Sequence, residues 1–133
     1  MRVLLDTSVL IGPAPESDDA ESAAAEFAIS AVSLAELHFG VLVAHDDAAR
    51  AERLRRVAVI ERTFDALPLD EVVAREYGRI AAAVAAAGRQ PRARMADLLI
   101  AATARVHDAV LWTRNPDDFA ELDDLVEVVT PTG

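Results

Sequence analysis

Residues 1–12 read MRVLLDTSVLIG. Val3, Leu4 and Leu5 are consecutive apolar residues with no polar alternation, and the run stops at an acid, Asp6. A strand with one wet face alternates, whereas a strand covered on both faces is apolar throughout. Residues 2–5 (RVLL) therefore predict a buried strand. Asp6, Thr7 and Ser8 lie just past its carboxyl end, which is where open parallel sheets bind ligands.

The pattern recurs outward from that stretch. Ala109–Thr113 (AVLWT) predicts a strand of the same kind, followed by Arg114, Asn115, Pro116, Asp117 and Asp118. Phe27–Ile29, Leu67–Leu69 and Val126–Thr130 predict shorter ones. Between them lie helical stretches. Ser17–Ala25 follows the loop Gly12–Glu16, and Ser33 opens a helix to about Ala44. Asp47–Phe64 has Leu54, Val57, Ile60 and Phe64 on one face, and Asp70–Ala87 has a stripe at Val73, Tyr77, Ile80 and Val84. Met95–His107 and the short Pro116–Leu122 complete the set. Strands alternating with helices predict an α/β fold with a parallel sheet between helices.

Composition narrows the function. The 133 residues suit one domain, residues 1–133. The absence of cysteine excludes disulfides, thiolate zinc sites and cysteine nucleophiles, and fits a reducing cytoplasm. The N-terminal apolar run carries an acid and has no signal-peptide pattern, and no run approaches the ~20 apolar residues that span a bilayer. Net charge is −10, which argues against simple phosphate neutralisation and suits cation binding or a basic protein partner. All 13 cationic residues are arginine, so chemistry that needs a lysine is excluded.

Four positions deserve comparison: Asp6, Glu36 in SAVSLAEL, Asp97 in RMADLLIAA, and the group Asn115, Asp117 and Asp118. Each has a bland explanation. Asp6 caps the helix that follows, and Glu36 stands three residues after Ser33 at capping-box spacing. Asp97 is a first-turn acid, and Asn115 an N-cap ahead of a proline. In combination these explanations weaken. Asp6 and Asn115 end the two clearest strands, and Asp97 and Glu36 sit among apolar neighbours where an acid needs a partner. Gathered carboxylates repel unless they take up protons or a cation. Oxygen donors without cysteine or clustered histidine select Mg²⁺ or Mn²⁺.

The pieces LLDTSVLI, SAVSLAELHFGV, MADLLIAATARVHDAVLWTRNPDDF and VEVVTP run through nearly the whole chain. In this order they resemble the PIN-domain family, and within it the VapC-type toxins of bacterial toxin–antitoxin pairs. The resemblance implies a PIN-like α/β/α sandwich around a parallel sheet of four to five short strands. It implies a metal-dependent endoribonuclease, leaving 5′-phosphate and 3′-hydroxyl ends on transfer RNA or a ribosomal RNA loop. Asp6, Glu36 and Asp97 match the family's three core metal-binding carboxylates. Its fourth acidic position, with a catalytic role, falls on Asn115, which can ligate through its carbonyl or hold a metal-bound water but brings no charge; Asp117 or Asp118 can compensate. Thr7, Ser8 and Thr113 match hydroxyls flanking the site. A cognate antitoxin, a homodimer and a higher toxin–antitoxin assembly are implied partners.

Arg92, Arg94 and Arg114 are candidate RNA contacts, since all three adjoin the acidic positions. Arg50, Arg53, Arg55 and Arg56 read as a solvated helix face, and His38, His45 and His107 as structural. Two other readings compete: a non-catalytic interaction module on the same fold, and a haloacid dehalogenase-type enzyme with Asp6 as nucleophile. The second lacks the further aspartate that it needs at Ser8.

Overall fold

The computed structural model describes residues 1–13 and 24–131. Five strands form one sheet: β1 (Arg2–Leu5), β2 (Glu26–Ser30), β3 (Asp65–Leu67), β4 (Val110–Trp112) and β5 (Val128–Val129). Their order is β3-β2-β1-β4-β5, and every pairing is parallel. The helices are α1 (Thr7–Ile11), α2 (Ala31–Leu42), α3 (Asp47–Thr63), α4 (Glu71–Ala86) and α5 (Met95–Val106). Two 3₁₀ turns, Pro91–Arg94 and Pro116–Leu122, precede α5 and follow β4.

The unalternating strands are covered on both faces, as their composition predicts. Leu4, Ala28 and Leu111 pack with Val73, Ile80, Val84 and Leu98 from α4 and α5. Val3, Leu5 and Ile29 pack on the other side with Val9, Leu10, Leu37, Val41, Val57 and Ile60 from α1, α2 and α3. Successive side chains of one strand thus feed two separate cores. The result is the α/β/α sandwich, with five strands.

Register decides where the site sits. Leu5 pairs with Ile29 on one side and Trp112 on the other, so β1, β2 and β4 end level. Asp6 N–H donates to the Trp112 carbonyl at 2.9 Å, which extends that edge by one residue. From β1 the chain crosses to β2 and β3, and it returns to β4 and β5 on the opposite side. The gap between β1 and β4 is therefore the switch point, outside which α/β sheets hold ligands.

Several local expectations shift. The helix expected from Ser33 begins at Ala31, because Ser30 is the cap: its hydroxyl accepts from Val32 N–H at 3.0 Å. The strand expected at Leu67–Leu69 is Asp65–Leu67, paired with Ala28–Ser30. Pro68 has no N–H to continue that ladder. Leu54 is exposed, because only the later half of α3, at Val57 and Ile60, reaches the core. Pro116–Leu122 is a 3₁₀ turn kinked at Phe119. The helix expected over Ser17–Ala25 falls mainly on residues 14–23, outside the described residues. Glu76, which the apolar stripe of α4 conceals, is buried and paired with Arg79 at 2.8 Å and Arg105 at 2.6 Å. Among the described residues, no helix is long and apolar enough to cross a membrane.

The cap assignment is testable. Ser30→Ala removes the α2 cap and should cost about 1 kcal/mol in urea denaturation. An unchanged midpoint would show that the Ser30 hydroxyl does not cap α2.

Candidate metal centre

Asp6 begins the site. It is 5% exposed and stands at the end of β1, where it caps α1. Its Oδ2 accepts from Ser8 Oγ at 2.7 Å and from Thr113 Oγ1 at 2.9 Å, with a longer 3.4 Å contact from Ser8 N–H. Ser8 Oγ in turn accepts from Arg114 N–H at 3.0 Å, and Thr113 Oγ1 from Asn115 N–H at 3.0 Å. Each hydroxyl has one proton and spends it on Asp6, while its lone pairs hold the chain beyond β4. Ser8 and Thr113 therefore fix one carboxylate oxygen and stitch α1 to the end of β4. Among the described residues, no hydrogen bond falls on Oδ1 of Asp6.

Glu36 lies in the second turn of α2 and is exposed. Thr7 Oγ1 is 2.7 Å from Glu36 Oε1 and 2.9 Å from Ser33 Oγ. A single threonine proton serves one acceptor, and the carboxylate is the stronger. Ser33 is then the donor to Thr7. The capping-box reading of Glu36 fails because Ser30 caps α2, so Ser33 supports the Thr7–Glu36 contact instead.

Asp97 occupies the first turn of α5 and is half-buried. Its carboxyl is pushed from 3.8 to about 6, first by burial, then by the charges of Asp118, Asp6 and Glu36 in that order, with Arg94 opposing. All four carboxylates are thus near enough to be felt at one point. Of these charges, that of Asp118 weighs most on Asp97, and Asp117 and Asp118 are both exposed. Asn115 supplies no charge, and its side chain makes no capping bond.

Among the described residues, no three acidic or histidine side chains lie close enough to grip one ion together. The donor chemistry still suits Mg²⁺ or Mn²⁺. Mg²⁺ keeps several waters and is commonly held by one or two carboxylates, a demand that spaced oxygen donors meet. The histidines have other partners: His38 meets Glu61 at 2.5 Å, His45 meets Asp46 at 2.9 Å, and His107 closes α5 beside Arg2.

The arginine candidates separate. Arg94 bonds Glu121 at 2.9 Å. Arg114 donates to the Pro13 carbonyl at 2.7 Å and packs against Gly12, and Arg56 donates to the Gly12 carbonyl. Arg53 reaches the Gly40 carbonyl at 2.7 Å, so part of the expected solvated face binds backbone. Arg92 is exposed. Sequence reasoning missed Glu121, which meets Arg94 and, at 2.9 Å, Arg89. An acid in a turn near the C-terminus carries no local signal of such distant partners.

The Asp97 environment sets a sign for stability. The folded chain holds a proton at Asp97 up to about pH 6, against 3.8 ordinarily. Stability at this group is therefore lost as pH rises through that window and stays lower above it. In metal-free buffer, Asp97→Asn should be more stable than the parent at pH 7–8 by roughly 1 kcal/mol, allowing for solvent screening. The gap should close below about pH 4 in denaturation curves, where the parent carboxyl is protonated in both states.

Comparison with known proteins agrees with this geometry. Residues 3–125 match the family model of the PIN domain. Ribonuclease VapC4 of Mycobacterium tuberculosis (strain ATCC 25618 / H37Rv) is 38% identical over 130 residues, covering 97% of this chain and 96% of its own. The crystal structure of VapBC-5 from Mycobacterium tuberculosis, a member of the VapBC family of toxin–antitoxin systems, superposes with a TM-score of 0.78 at 34% identity. That match covers 99% of this chain and 98% of the other. FitAcB from Neisseria gonorrhoeae gives 0.78 at 30% identity, covering 97% of each chain. With its carboxylates at the switch point of a five-stranded parallel sheet, the chain belongs to the PIN-domain family, in its VapC group.

Proposed function

We propose that this protein is a Mg²⁺- or Mn²⁺-dependent endoribonuclease, the toxin of a toxin–antitoxin pair. The observation that carries the reading is the meeting of Asp6, Glu36, Asp97 and Asp118, from four separate elements, outside the β1–β4 gap. Relatives named as ribonucleases support the reaction, and the VapBC complexes support the partner.

One or two of Asp6, Glu36, Asp97 and Asp118 would hold the metal, with water completing its coordination. Bound there, the ion supplies Lewis-acid activation of water and charge neutralisation at the scissile phosphate. The protein's own part is orientation and proton transfer. Ser8 and Thr113 fix Asp6, and Thr7 fixes Glu36. Asp97 is the carboxylate suited to accept a proton from attacking water, because its surroundings already favour the protonated form. Arg92, exposed and just ahead of Asp97, is the cation available to the RNA backbone, whereas Arg94 is engaged by Glu121.

An antitoxin fits the net charge of −10. A groove of about 560 Å³ between α1, α2 and α3 is lined by Ile11, Leu37, Phe39 and Val57, with Thr7 and Glu36 on its wall. An apolar segment lying there, with a basic side chain at Glu36, would neutralise the cluster and deny it to metal. A homodimer and cytoplasmic action belong to the same reading. The non-catalytic alternative rests on an uncharged Asn115; the charge that Asp118 exerts on Asp97 supports the catalytic reading over it.

Incubation with structured RNAs in Mg²⁺ or Mn²⁺ should yield cleavage that is lost in EDTA and in Asp6→Asn. Cleavage indifferent to both would overturn the reading. Saturating Mn²⁺ at 100-fold over Kd should also add about 2.7 kcal/mol of stability, read as a rise in Tm.

A further inference from the structure

We propose that Glu121 is a positioning residue for the carboxylate cluster: through its ion pair with Arg94 it braces the turn that carries Asp118 against the head of α5 that carries Asp97. What the cluster is for rests on the metal-dependent reading above; the brace itself is geometric.

The problem it solves is physical. Asp97 and Asp118 come from segments before and after β4 in the chain and carry like charge, and Asp118 is the charge that most raises the Asp97 carboxyl. Left to themselves they separate. Three residues before Asp97 stands Arg94, and three residues after Asp118 stands Glu121. Arg94 Nη1 donates to Glu121 Oε2 at 2.9 Å. An attractive rung thus lies beside the repulsive one and joins the same two segments.

The rung is sheltered. The Arg94 and Glu121 side chains are only 18% and 16% exposed, so water screens the pair less than a surface bridge. Arg89, just beyond the end of α4, comes within 2.9 Å of the other Glu121 oxygen as an ion pair without hydrogen-bond geometry, a weaker tie to a third element. The Arg94 hydrogen bond holds the Glu121 carboxyl below its ordinary range, which keeps it ionised. Arg94 Nη2 is buried without a hydrogen-bond partner, so this guanidinium relies on Glu121. Without that carboxylate, a half-satisfied buried cation must swing toward water and release the turn. Phe119 and Leu122 pack into the same core as Leu98 and Ala101 of α5, and the rung adds a polar tie at the end of that contact where Asp97 and Asp118 stand.

The test uses Mn²⁺ alone, titrated calorimetrically into metal-free protein. The set is wild type, Glu121→Asp, Glu121→Gln, Asp118→Asn and the double variant Asp118→Asn/Glu121→Gln. Glu121→Asp keeps the charge and shortens the arm, so it separates reach from electrostatics and protects the test if Glu121→Gln fails to fold. Both Glu121 variants should weaken Mn²⁺ about tenfold or more, as partners behind metal ligands do. The double variant should bind no more weakly than Asp118→Asn, because the brace acts through Asp118. Wild-type affinity in Glu121→Asp, or additive losses in the double variant, would overturn the brace while leaving the metal site standing. Absence of Mn²⁺ binding in wild type would overturn both.

Discussion

Like charges that must stay together are the constraint on which the rest of this structure depends. Three carboxylates act on a fourth, Asp97, at the sheet edge, and like charge draws none of them there. Each is held by something else. Asp6 is fixed by two hydroxyls that belong to different elements. Glu36 is reached by Thr7, itself supported by Ser33. Asp97 rides on a helix whose following residues, Leu98 and Ile100–Ala104, are buried. Asp118 depends on its turn. The hydrophobic cores on both sheet faces supply the stability that is spent on keeping these groups close.

Much of this was legible in the residues. Asp6, Glu36 and Asp97 stand out by their places at strand ends and helix heads, and in the fold the first two lie within electrostatic reach of the third. Unalternating strands announced a sheet covered on both faces. What escaped was set by contacts between distant segments. The cap of α2 fell on Ser30 rather than Ser33 because β2 ends on the residue that begins the helix, a boundary that local pattern leaves loose by a few positions. Asp117 and Asp118 are exposed neighbours of the same chemistry, and local pattern does not tell them apart. Arg94 was visible as a cation near the site, but its partner lies 27 residues away.

The same logic operates at the opposite side of α5. Glu76 sits on the buried stripe of α4 and is neutralised by Arg79 and by Arg105, which also donates to the Leu125 carbonyl at 2.8 Å. A buried carboxylate with two arginines is stable as it stands and has no need of another cation. The cluster near Asp97 has one opposing arginine against three other acids. That imbalance separates a structural ion pair from a site that retains appetite for positive charge.

The strand order has a consequence for when the protein becomes competent. β1 lies at the centre of the sheet, yet its neighbour β4 lies more than a hundred residues further along, with Leu4 paired to Leu111. Asp6 precedes the hydroxyl of Thr113, the charge of Asp118 and the arm of Glu121 by more than a hundred residues. Pairings this distant in sequence form late and slowly. The cluster is therefore completed only when β4 docks beside β1, so its assembly is tied to closure of the sheet.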